Sequence, residues 1–163
     1  MPPVEPLPFR IPVKGEDVID FGGIRSVSYR VEGLLHLADD VLEFEWTATE
    51  RTERVSLTGI GTDVDQSPIG TLEVQAGWIA EVRLRGGWWR PRMAFRARRL
   101  DAFQGMPGAR PGTVTLKIPR RYRKEAKALV AAIDQARAAA PLPSPENLAE
   151  LANDSRSLTG EEQ

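Results

Sequence analysis

The chain of 163 residues contains no cysteine, which excludes disulfides, thiolate nucleophiles, iron–sulfur clusters and thiolate zinc sites together. It has one histidine, His36, so a two-histidine metal site is ruled out and a base-plus-nucleophile pair has one candidate base. That residue sits in Leu34-Leu35-His36-Leu37 with no recognisable companion, and it reads as a structural histidine. Charge of neither sign dominates. There are 22 basic and 23 acidic residues for a net charge of -1, so the chain as a whole is no cationic nucleic-acid wrapper. No stretch approaches the roughly 18 apolar residues of a membrane span. The start, MPPVEPLPFR, lacks a cationic region leading into an apolar run. A soluble, cytoplasmic protein is expected.

Phosphate and calcium loops are equally unsupported. Gly59, Gly61 and Gly70, like Gly105, Gly108 and Gly112, do not stand between a strand and a helix. Asp63 and Asp65 in GTDVDQSP begin like a calcium loop but lack its later glycine and bidentate glutamate. No cofactor, metal or small-molecule substrate is indicated, and the expectation is a protein that is not an enzyme.

What remains is ordinary globular composition, 41% hydrophobic and 28% charged, sufficient for one domain. Five prolines among residues 2–12 read as an extended arm over residues 1–17, able to form neither a helix nor a central strand. Rough alternation from Ile24 to Leu37 is interrupted at Gly33, as in strands broken by a bend or bulge. LHLADDVLEFEW reads as a hairpin, with Leu42, Phe44 and Trp46 on one face and Glu43 and Glu45 on the other. TATERTER is polar, and GIGTDVDQSPIG has the density of glycine, aspartate and proline expected of an irregular loop. Thr71–Val74, Ile79–Leu84, Arg92–Arg98 and Val114–Ile118 alternate as further strands, the middle two forming a hairpin around Gly86-Gly87-Trp88-Trp89.

The period then changes. Tyr122, Ala126, Leu129, Val130, Ile133 and Ala136 form one helical stripe between Pro119 and Pro141. Residues 18–140 are therefore expected as one unit, mainly β, of about seven short antiparallel strands closed by a C-terminal helix. Residues 141–163 are read as a linker and largely flexible tail, with a short helix capped by Ser144.

That order, carried by GLLHLADDVLEFEW, WIAEVRLRGGWW, PRMAFRAR and GTVTLKIPRRYRKEAKALVAAI, resembles the bacterial pleckstrin-homology-like domains. The resemblance implies a partly open barrel capped by its helix. It equally implies a binding or scaffolding role, since the fold hosts lipid-binding, peptide-binding and scaffolding modules alike. Lipid-binding members carry basic residues on the first strand pair. Here Ala38-Asp39-Asp40 is followed by Glu43 and Glu45, which repel inositol phosphates.

Charge segregation is the informative feature. Between Ala80 and Lys124 thirteen basic residues face only Glu81 and Asp101, a local balance of +11 against -12 for the rest. Alternation places Arg83, Arg85, Arg96, Arg98 and Lys117 on one solvent face of a meander. The anions for that face have three sources. They are the chain's own carboxylates (Glu43, Glu45, Glu50 and Glu53, or Glu146 and Glu150 in the tail), an acidic protein or second copy, or nucleic acid or anionic lipid, with nucleic acid ranked low. Trp88 and Trp89, flanked by Arg90 and Arg92, have the make-up of an interface anchor. One indole is expected on the surface, available for self-association.

Overall fold

The first long hairpin folds at the turn Asp39-Asp40, where Asp39 takes φ 55°, a region that short polar residues of this kind tolerate. The computed structural model describes residues 5–13, 15–20 and 23–140; the expected Ser144 helix and tail lie outside the described residues. Its strands are β1 (Leu7–Ile11), β2 (Glu16–Asp20), β3 (Gly23–Ala38), β4 (Val41–Ser56), β5 (Gly59–Gln66), β6 (Gly70–Gln75), β7 (Ile79–Arg85), β8 (Arg92–Ala97) and β9 (Thr113–Lys117). One helix, α1 (Arg123–Ala139), follows a 3₁₀ turn at Arg120–Tyr122. The result is the expected mainly β arrangement, with a single α-helix, at the C-terminal end, among the described residues.

All strands join one antiparallel sheet in the order β5-β4-β3-β1-β9-β8-β7, with β2 added to β3 and β6 to β4. The sheet folds over on itself. Phe44 on β4 meets Phe95 on β8 edge to face at 5.8 Å, and Phe103, from the segment between β8 and β9, closes on both at 6.1 and 6.3 Å. The inner face is apolar on every core strand: Leu7, Phe9, Leu35, Leu42, Val82, Met93, Val114 and Leu116 are buried. The buried stripe of α1, Ala126, Leu129 and Ile133, packs on β7, the 3₁₀ turn Ala76–Trp78 and β3. The barrel stays open, because β7 is the last strand on its side. Gly33 has a packing reason: a Cβ there would strike the Phe9 ring opposite.

Three expectations are corrected. The proline-rich arm contains a central strand, since β1 lies between β3 and β9. Donors along a strand point alternately to its two neighbours, so Pro8 and Pro12 remove them from one side only. The β9 side carries a single bridge, Arg10↔Lys117, against five pairs with β3. Second, Gly33 does not break the strand; β3 is one continuous run of 16 residues. Third, TATERTER is the outer half of β4, and the supposed loop GIGTDVDQ is β5, with Asp63 and Asp65 in the ladder. There β2, β3, β4 and β5 form a wing past the core, where β5 is exposed throughout and Val27 and Thr52 are isolated buried positions, so apolar alternation is not required.

Candidate cationic interface

On the outer face the ladder brings one cation from each of four strands into a row. Arg10 on β1 stands opposite Lys117 on β9, Lys117 opposite Arg92 on β8, and Arg92 opposite Arg85 on β7. Adjacent strands lie about 4.8 Å apart, and like charges directly opposite destabilise a sheet. The row therefore holds charge together against its own repulsion. Arg10 has an ion pair with Glu32 at 2.8 Å. Arg85, Arg92 and Lys117 have none among the described residues.

Of the remaining expected face residues, Arg83 and Arg96 share this side of the sheet, but at the end where an acid is present. Arg83 pairs with Glu81, and Glu81 stands opposite Arg96. Arg98 is not in the ladder: it lies past the end of β8, where its N–H donates to the Trp78 carbonyl at 2.8 Å. Of the chain's own acids named above, Glu43, Glu45, Glu50 and Glu53 do not cover the row, and Glu146 and Glu150 lie outside the described residues. Glu43 and Glu45 lie on the outer face of β4, Glu43 beside His36 at 3.7 Å. Because Phe44 and Phe95 meet across the core, the outer faces of β4 and β8 point away from each other. Glu53 pairs with Arg51 in the wing, and Glu50 accepts from Thr52 there.

The β7–β8 hairpin ends beside the row. Gly86 (φ 85°) and Gly87 (φ 50°) begin a wide turn closed by the Arg90 N–H to the Gly86 carbonyl at 3.3 Å. A chain extended here would send the two indoles to opposite sides. The turn instead stacks them, with centroids 3.9 Å apart at 36°, and leaves Trp88 46% and Trp89 67% exposed. The Arg120 guanidinium lies over both rings, 4.0 Å from Trp88 and 5.0 Å from Trp89. The Ile118 N–H donates to the Pro91 carbonyl at 3.0 Å, tying the tip to the end of β9.

Row and tip together frame an open cavity of about 670 Å³, lined by Arg10, Arg90, Arg92, Lys117, Arg120 and Arg121 with Trp89, Pro91, Ile118 and Pro119. Two further grooves adjoin it, one under Arg85 and Trp89, the other running from Trp88 along Arg123, Lys124 and Lys127 of α1. Among the described residues, no carboxylate lines any of the three. Chemically, arginine forks can make bidentate contacts to anionic groups, and a stacked indole pair can act as a platform for a flat or apolar group. Alternation points to Arg85 and Lys117, and Arg92 stands out only as a neighbour of the tryptophan pair. Arg10, Arg120 and Arg121 were missed, because their place depends on the pairing of β1 with β9 and on the 3₁₀ turn after Pro119.

Among the described residues no group of three or more His, Cys, Asp or Glu is placed to hold a metal ion, and no helix is long and apolar enough to cross a membrane. Comparison with known families, curated proteins and solved structures finds no match to any of them.

Proposed function

We propose that this protein is a non-enzymatic binding module of the pleckstrin-homology-like class, acting in the cytoplasm, that captures an acidic segment of a partner protein. The cationic row, the Arg120-backed tryptophan pair and the cavity between them receive it. The observation that carries this reading is the row Arg10-Lys117-Arg92-Arg85, three of whose cations have no ion pair among the described residues. The open antiparallel sheet and its C-terminal helix agree with the class. An acidic partner relieves the repulsion within the row, and complementary charge speeds encounter and selects among partners.

A second reading, peripheral attachment to anionic lipid, draws on the exposure of Trp88 and Trp89 next to arginine, since indoles with adjacent cations settle at membrane interfaces. One panel separates the readings. A labelled glutamate-rich peptide, phosphatidylserine vesicles and a single-stranded oligonucleotide are titrated at low and moderate salt. The peptide is expected to bind most tightly; preference for the vesicles or the oligonucleotide would replace this reading. Sedimentation velocity on Trp88→Ala and Trp89→Ala completes the test: an oligomer dissolved by either change would make the tip a self-association surface.

A further inference from the structure

The wing presents a second surface, independent of the cationic site. Its strand order is β2-β3-β4-β5. β5 pairs with β4 along its whole length, is the last strand of the sheet, and has all eight residues exposed. A long exposed edge of this kind is a template for another strand. On one face Ile24, Val55 and Ile60 stand in a directly opposed row, 51%, 47% and 77% exposed, with Val64 further along β5 at 61%. On the other face Arg25 stands opposite Arg54, and neither has an ion pair among the described residues. Asp63 and Asp65 of β5 share that face and are likewise unpaired there.

We infer that a second copy of this chain docks on the edge, its β5 running antiparallel to the first about a two-fold axis through Thr62. Two identical edges meeting about such an axis form a closed, isologous dimer. The axis is perpendicular to the sheet, so each residue must face one of the same parity. Centring on Thr62 sets Ile60 against the second copy's Val64 and Gly61 against its Asp63. Centring on Asp63 would oppose that carboxylate to itself, and centring on Gly61 would face Ile60 with a threonine.

In the Thr62 register the apolar row continues across the interface. Gly61 offers no side chain, and its surroundings are open. The second copy's Asp63 therefore reaches over it toward Arg54, one strand further in, across the roughly 10 Å of two strand spacings. The contact is made twice by symmetry. It supplies an anion to the Arg25–Arg54 pair and a cation to Asp63, so the edge is complementary to itself in charge as well as shape.

The absence of cysteine makes the register testable. Thr62→Cys places the only thiols on the axis, at a cross-strand Cα separation of about 4.5–5.5 Å, inside the disulfide range of about 4.4–6.8 Å. Mild oxidation is expected to give a covalent dimer rapidly, while Leu57→Cys, at the fully exposed β4–β5 turn, gives little. Sedimentation velocity is expected to show a dimer that Asp63→Arg dissociates and Asp63→Arg/Arg54→Asp restores, with circular dichroism unchanged and Trp88→Ala without effect. A wild type monomeric at every concentration, equal cross-linking from both thiols, a dimer surviving Asp63→Arg, or a charge swap that fails to restore it would overturn the inference.

Discussion

Phe44 on β4 and Phe95 on β8 meet edge to face with centroids 5.8 Å apart, and this contact separates the acidic outer face of one half of the sheet from the cationic outer face of the other. Both rings are almost fully buried. Phe44→Ala is expected to cost about 3–5 kcal/mol, read as a fall in the urea midpoint with an unchanged slope.

Lys117 lies between two cations, Arg10 and Arg92. Lys117→Thr, which keeps strand propensity, should raise stability by a few tenths of a kcal/mol by removing like-charge opposition. The same substitution should weaken binding of the acidic peptide. Thermal denaturation and anisotropy on one preparation check both signs, and a change in the same direction for both contradicts the trade between stability and binding.

The tip depends on its glycines unequally. A Cβ on Gly86 would run into the Arg90 carbonyl at φ 85°, whereas Gly87, at φ 50°, faces open space. Gly87→Ala should cost about 1 kcal/mol and preserve peptide binding. Gly86→Ala should cost more and disrupt the indole stack, seen as altered near-ultraviolet circular dichroism.

The Arg99 guanidinium makes two hydrogen bonds to Asp101, at 2.9 and 2.7 Å, and holds its carboxyl below the usual carboxylate range. A depressed folded value gives stabilisation that is present above the unfolded value of about 3.9 and fades as pH falls through the folded one. The pair is substantially exposed, so Asp101→Asn should cost under about 1 kcal/mol at neutral pH. Unfolding measured from neutral to strongly acidic pH should show that difference disappearing.

Legibility followed burial. Leu42, Phe44, Met93, Phe95, Val114 and Leu116 alternate because one face is core, and Leu129 and Ile133 repeat at helical spacing, so these elements could be read directly. β5 and the outer half of β4 could not, because β5 is exposed at every residue and that half of β4 buries only Thr52, so pairing specifies them and no apolar period is left. Phe103 is buried from the segment between β8 and β9, which carries no apolar alternation to announce it. In the site, alternation located Arg85 and Lys117, and Arg92 was legible only as a flank of the tryptophan pair. The fourth member, Arg10, comes from a strand more than a hundred residues from Lys117, and the stacked tryptophans depend on a turn in place of an extended hairpin end.

The most direct test of the cationic interface is anisotropy of the glutamate-rich peptide on two variants with the same change in net charge. Arg92→Glu/Lys117→Glu inverts the centre of the row, while Arg98→Glu/Arg110→Glu inverts exposed arginines outside it. The account predicts at least about a tenfold loss of affinity, 1.4 kcal/mol, for the first pair and near wild-type binding for the second. Equal weakening by both, or no weakening by the first, would contradict it.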